Sequence, residues 1–298
     1  VSVADPAGRR WRTVTGPVVV VGGGAVGSLL VGLLRGDGTP VTVVDRVAGG
    51  GVVAGDVTAP PEPVRAVLAE ASVVVLAVPE QVAVDAVPVL DGLLAPGVLL
   101  VETLSVKTRI HEVLCAARRP AVGINPMFAP ALGMAGRPVA AVVHRGGPPV
   151  ETFLTRVASW GGRVVRVGAG EHDRVSAATQ ALTHAAVLAF GLALAELGAD
   201  PDTVAATAPP PHRLLSALLA RVASGTPEVY HDIQAGNPAA DDARKALSGA
   251  VTRLSTAVGD EAAFAAVMAD ALAPLGDRAT GYRELCAELF EQLRGGEA

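Results

Sequence analysis

The stretch Pro17–Leu34, PVVVVGGGAVGSLLVGLL, decides the fold. Four consecutive valines without polar alternation read as a strand buried on both faces, as in a parallel sheet covered by helices. Gly22, Gly24 and Gly27 follow as G-x-G-x-x-G, and the apolar run after them reads as a helix packed on that sheet. Each glycine has a task. Gly22 makes the tight turn, Gly24 lets the backbone approach a pyrophosphate, and Gly27 allows close helix-to-strand packing. The N-terminus of the helix then faces an anion.

The next run, VTVVD, ends in Asp45, at the end of an expected second strand. A carboxylate there accepts hydrogen bonds from an adenosine ribose and repels a 2′-phosphate, so NAD is expected rather than NADP. Arg46, next door, works against that preference. Ala25 and Val26, between the glycines, and Val78, at the end of the run SVVVLAV, complete the expected cofactor set. The competing reading is a structural glycine turn with Asp45 as a solvated strand end.

Further outward, GVLLV, AVGI, VAAVV and RVVRV continue the Val-rich runs to about Val167. Long Ala/Leu-rich segments with few β-branched residues then take over, which predicts an all-helical second domain. The expected division is a flexible lead-in over residues 1–16, a dinucleotide-binding domain over 17–168 and a helical domain over 169–298. The segment from Ala185 to Leu197 is apolar nearly all round, so burial against a second subunit is expected.

Half of the 298 residues are hydrophobic but only 3% are aromatic, so the core must be Ala, Val and Leu. A formal charge of −5 and a pI near 5.7 give no general attraction to nucleic acid or an anionic membrane. Cys115 and Cys286 match no metal-binding spacing and read as reduced thiols of a cytoplasmic protein. No metal is expected. The N-terminal piece VSVADPAGRRWRT carries charge but no apolar signal core.

Chemistry-bearing residues gather after the expected fifth strand, in VETLSVKTRIHEVL. Ser105 and Lys107 fall at a strand's carboxyl end, where open parallel sheets place their ligands. Lys107 and Lys245 are the only lysines in a chain that otherwise uses arginine. Ser105 reads equally as the N-cap of the next helix, and Lys107 as a solvated residue of its first turn. In EHDRVSAATQALTH, His172 and Asp173 read as helix-starting residues, while Gln180 and His184 are four apart on one helical face. Arg213, in PPPHRLL, needs an anionic partner amid so much Leu and Ala.

Taken together, VVGGGAVG, LSVK, GINPMFAP, EHDRVSAATQALTHAAVLAFG and HRLL resemble the prephenate dehydrogenase family, over nearly the whole chain. The resemblance implies a Rossmann-type doubly wound α/β domain followed by an all-α dimerisation domain. It also implies NAD-dependent oxidative decarboxylation of a small anionic cyclohexadienyl substrate, in a homodimer with its active site between domains. Carried over by position, Ser105 hydrogen-bonds near the reacting ring carbon and Lys107 helps order the cleft. His184 and Arg213, with Gln180 beside them, bind substrate, Arg213 on the ring carboxylate, with its own or the partner subunit as the two alternatives for its source.

The chain departs from the family at Asn125, in GINPMFAP, where the family has the histidine that accepts the C4 hydroxyl proton. An amide cannot take up a proton near neutral pH, and a positioned base is worth about 10² to 10⁴ in rate. An amine at C4 removes the need for one, because its nitrogen lone pair expels the hydride directly. The expected substrate is therefore 4-amino-4-deoxyprephenate, giving 4-aminophenylpyruvate, with prephenate or arogenate as the alternative and His111 as a candidate replacement base. A non-catalytic dinucleotide-binding module would keep the glycine turn but have no use for Ser105, Lys107, His184 and Arg213 together. A β-hydroxyacid dehydrogenase would be expected to carry a catalytic lysine in its helical domain, where Lys245 is the only lysine.

Overall fold

The computed structural model describes residues 16–293. The lead-in expected over residues 1–16 lies, but for Gly16, outside them. The chain divides into two compact units, with the boundary between Ser176 and Ala177.

The first unit is an eight-stranded sheet: β1 (Val18–Val21), β2 (Val41–Asp45), β3 (Val52–Ala54), β4 (Val73–Leu76), β5 (Leu99–Glu102), β6 (Ala121–Pro126), β7 (Pro138–Arg145) and β8 (Arg163–Arg166). Its order is β3-β2-β1-β4-β5-β6-β7-β8, and every pair is parallel except β6 with β7. The α/β class read from the valine runs is borne out. Two features went unread: the three-residue edge strand β3, too short to show a period, and the reversed direction of β7.

The uniform valines of β1 follow from double burial. Val19 and Val21 enter a core shared with α2 (Glu62–Ala69), α3 (Glu80–Leu93) and α4 (Thr108–Ala116), whereas Val18 and Val20 enter the opposite core. That second core is covered by α1 (Ala25–Gly36) and α5 (Pro148–Ser159). Successive side chains of a strand point to opposite faces, so neither face tolerates a polar residue. The order reverses at β1, between β2 and β4. That reversal opens a crevice at the strands' carboxyl ends, where doubly wound sheets bind ligands. The unit ends with α6 (Ala169–Ser176), whose His172, Asp173 and Ser176 are buried.

The second unit is helical: α7 (Leu182–Leu197), α8 (Pro201–Thr207), α9 (Pro210–Ala223), α10 (Pro227–His231), α11 (Ala240–Ala257), α12 (Glu261–Leu272) and α13 (Ala279–Gln292). Two π-helical segments, Ala177–Ala181 and Asp232–Gly236, interrupt it. They are clipped together: Gln234 Nε2–H donates to Ala181 O at 2.8 Å, and Arg244 Nη1–H donates to both Gln234 O and Oε1. Side chains that satisfy backbone groups released by a π turn are the usual support for such bulges. On α12, Phe264, Met268 and Leu272 recur every four residues and are all exposed, as are Val251, Leu254 and Val258 on and just beyond α11. These apolar stripes have no cover among the described residues.

Phe153, fully buried and edge-on to Trp160 with centroids 6.3 Å apart, anchors α5 to the sheet. Phe153→Ala should lower stability by about 3–5 kcal/mol, read as a lower urea midpoint with an unchanged denaturant slope.

Candidate active site

Gly22, the first glycine of the turn, has φ of 101°, and a Cβ there would lie 2.1 Å from Ala77 O. A Cβ on Gly27 would lie 2.0 Å from Gly22 O. Both positions are closed to any side chain by the protein itself. Gly24 differs: among the described residues, nothing beyond its own neighbours and helix backbone lies within 4 Å of where its Cβ would be. It opens onto a groove of about 230 Å³ lined by Gly22, Gly24, Asp45, Arg46, Asp56 and Val78, among others. The N-terminus of α1 carries no side-chain cap and no acidic residue in its first turn, so Ala25 and Val26 begin a helix whose free N–H groups suit an anion.

Asp45 borders the same groove and ties down the turn: Gly23 N–H donates to its Oδ2 at 2.7 Å and Val47 N–H to its Oδ1 at 3.1 Å. These backbone donors, Gly23 first, hold its pKa below the ordinary value. Each carboxylate oxygen keeps a lone pair for a ribose hydroxyl. Asp56, after β3, is a second carboxylate on the groove and went unread with that strand. Asp45 and Asp56 thus line the groove with Arg46, two acids against one guanidinium, which disfavours a 2′-phosphate. The residues present fit NAD.

The second part of the site lies at the ends of β5 and β6. Lys107 is fully buried, and its ammonium donates to both oxygens of Glu102 at 2.8 Å. His144 Nε2 lies 2.9 Å from Glu102 Oε1, and Leu104 N–H donates to Oε2 at 2.7 Å. Burial alone would raise the Glu102 carboxyl; the Lys107 charge and the His144 bond outweigh it and hold it below the ordinary value. Only glycine fits opposite this pair, since a Cβ on Gly123 would lie 1.8 Å from Glu102 Oε1. Lys107, expected among the catalytic residues, is thus fully buried with its charge engaged by Glu102. His111, the candidate replacement base, lies with Nδ1 2.9 Å from His144 Nδ1, on this buried cluster.

Asp173 sits over the start of α4. Its Oδ1 accepts Lys107 N–H at 2.8 Å, and its Oδ2 accepts Thr108 N–H at 2.9 Å as well as the Thr108 hydroxyl. The N-cap task considered for Ser105 therefore belongs to a residue 66 positions away from Lys107, and Asp173 serves α4 rather than its own helix. Ser105 is half-buried, ahead of α4. Asn125, 3% exposed at the end of β6, has its Nδ2 3.1 Å from His172 Nε2, and His172 Nδ1 lies 2.8 Å from Asp173 Oδ1.

In the helical unit, Gln180 falls in the first π segment, where the chain no longer keeps the α-helical spacing used to place it beside His184. His184 meets the Tyr230 ring edge-on, 4.8 Å between centroids, and burial pushes its pKa down. Arg213 donates to Leu293 O at 2.8 Å on the wall of an apolar hollow of about 770 Å³. The same hollow takes in α7 from Leu194 onward, about 15 Å of helix rise beyond His184. His184 and Arg213 do not share that hollow.

A glycine turn at the switch point of a doubly wound sheet, followed by a helical unit with uncovered apolar stripes, defines a dinucleotide-binding protein of the two-unit kind. The sequence profile described as "Prephenate dehydrogenase, dimerization domain" matches residues 168–269. The chain is 52% identical to the 4-amino-4-deoxyprephenate dehydrogenase of Streptomyces pristinaespiralis, over 95% of this chain and 99% of that protein. It is 33% identical to the T-protein of Enterobacter agglomerans over 73% of this chain, and that match spans only 56% of the T-protein. Among solved structures, the prephenate dehydrogenase of Aquifex aeolicus in complex with hydroxyphenyl propionate and NAD+ shares the fold, with a TM-score of 0.63 at 18% identity, covering 86% of this chain and 96% of that one. The chain belongs to the prephenate dehydrogenase family. The run Ala169–Leu197 is long and apolar enough by composition to cross a membrane, but it forms the start of the matched dimerization domain.

Burial alone would raise the Asp173 carboxyl, but His172, Thr108 and the α4 amides hold its pKa below the ordinary value. A carboxyl with a depressed folded pKa contributes stability that is fully present above the unfolded value and lost as pH falls through the folded one. Asp173→Asn should therefore cost about 1–3 kcal/mol at neutral pH. The loss should shrink as pH falls below the ordinary carboxylate value of about 3.9, which urea melts across that range will read.

Proposed function

We propose that the chain is an NAD-dependent dehydrogenase that converts 4-amino-4-deoxyprephenate to 4-aminophenylpyruvate and carbon dioxide. The carrying observation is Asn125 at the family's base position, with its amide nitrogen engaged by His172. The Streptomyces pristinaespiralis relative, named for this substrate and matched end to end, supports it.

When bound, NAD supplies the two-electron acceptor that takes the hydrogen at ring C4 with its bonding pair. In this reading Asn125 Oδ1 accepts an N–H of the C4 amine and leaves the nitrogen lone pair aligned with the ring. That pair forms the C4 iminium as the hydride departs. The C1–carboxylate bond then breaks, its electrons aromatise the ring and return the iminium to a neutral amine, and carbon dioxide leaves. No proton enters or departs. A hydroxyl oxygen is a weaker donor, so its hydride transfer depends more on a base that takes the proton as the cation forms, and Asn125 is no base.

The remaining roles belong to the same proposal. Gly22, Gly24, Ala25, Val26, Gly27, Asp45, Arg46 and Val78 bind the cofactor, Ser105 hydrogen-bonds near C4, and His184, Gln180 and Arg213 bind the substrate, Arg213 on the ring carboxylate. The separation of Arg213 from His184 within one chain supports Arg213 reaching the substrate from the partner subunit of a homodimer, and the uncovered stripes of α11 and α12 support that dimer. The free thiols of Cys115 and Cys286 support a cytoplasmic location.

NADH formation by the purified protein should favour the amino substrate over prephenate by at least about 10² in kcat/KM. Asn125→His should raise prephenate turnover by a similar factor and leave or lower that of the amino substrate; equal turnover of both substrates by the unaltered protein would point to prephenate. Asp45→Ala should raise KM for NAD by about ten- to a hundredfold, the worth of a charged hydrogen bond, while narrowing the preference over NADP.

A further inference from the structure

Asn125 has two orientations of nearly the same shape, differing in whether its oxygen or its nitrogen points away from His172. The side chains behind it choose between them. Asp173 accepts from Lys107 N–H, Thr108 N–H and the Thr108 hydroxyl, which keeps it ionised and an acceptor only. His172 Nδ1, 2.8 Å from it, is therefore the donor nitrogen, and in the neutral imidazole Nε2 is then the acceptor. The amide group 3.1 Å from Nε2 is then the Asn125 nitrogen, whose second hydrogen is directed to Met127 Sδ at 3.3 Å. With both amide hydrogens spent, Oδ1 is what Asn125 has left to present.

We infer that His172, held by Asp173, fixes the amide of Asn125 with its oxygen presented and is thereby a positioning residue that sets the substrate preference; this rests on the role of Asn125 given above. The chemistry separates the two orientations. A presented oxygen accepts an amine N–H and leaves the nitrogen lone pair to the ring. A presented nitrogen donates to that lone pair and withholds it from the departing hydride. A hydroxyl oxygen, with two lone pairs, loses less to the reversed amide. Losing His172 should therefore harm the amine more than the alcohol.

The test compares Asn125→Ala, His172→Phe, His172→Gln and the Phe/Ala double variant in kcat, in KM for NAD and in the ratio of 4-amino-4-deoxyprephenate to prephenate turnover. His172→Phe should lower kcat for the amino substrate about ten- to a hundredfold, the scale of a misdirected reacting group. KM for NAD should hold, and the amino-over-hydroxy ratio should fall. His172→Gln, whose Oε1 can accept from Asn125, should recover most of the loss. In the Asn125→Ala background, His172→Phe should cost nothing more. Multiplying effects in the double variant, or a loss equal for both substrates, would overturn the inference while leaving Asn125 its role. Unchanged turnover in Asn125→Ala would overturn the role of Asn125 itself. His172→Leu replaces the phenylalanine variant should that one not fold.

Discussion

The buried ion pair of Glu102 and Lys107 is the constraint around which the candidate site is arranged. Taking two charges out of water costs several kcal/mol per ion, and their attraction recovers it only when the other lone pairs and protons are satisfied. That condition is met here by Leu104 N–H and His144 on Glu102, and by a glycine at position 123 that leaves room for the carboxylate. The ammonium also lies 3.4 Å from Ile124 O, the carbonyl just ahead of Asn125. The pair therefore locks the end of β5 to the end of β6, the two strands that deliver Ser105 and Asn125.

Lys107 joins two networks through different atoms. Its side chain belongs to the buried cluster of Glu102, His144 and His111, while its backbone N–H belongs to Asp173. Asp173 in turn holds both the first turn of α4 and the ring of His172. A single carboxylate thus sets the entry of a helix and, one ring further on, the direction of an amide. Held side chains of this kind cost no reorganisation at the moment of reaction, the condition for electrostatic catalysis to be effective.

What was legible in the sequence follows from the range of the interactions. The glycine turn, Asp45 and the valine strands are local patterns, and the groove they form could be read from one stretch of chain. Lys107 stood out because lysine is rare here, but its burial could not be read, since nothing local marks Glu102 as its partner or Gly123 as the space between them. The capping of α4 by Asp173 crosses 66 positions and left Ser105 as the nearer, mistaken candidate for that alternative. The π segments are joined by contacts among Arg244, Gln234 and Ala181, which periodicity does not encode. The strand β3 hid Asp56, and with it the second acid of the groove.

Replacing a histidine with an asparagine at a catalytic turn changes more than the proton inventory. An imidazole used as a base needs only one nitrogen aimed at its target. An amide carries a donor and an acceptor on the same small group, and the wrong one hinders the chemistry it should assist. A site that uses an amide must therefore supply direction from outside it. In this chain both hydrogens of Asn125 have takers, Met127 two residues on and His172 from α6, and the second is itself fixed by a buried carboxylate. Asn125 and the side chains that orient it thus form one unit whose remaining polar atom is an acceptor.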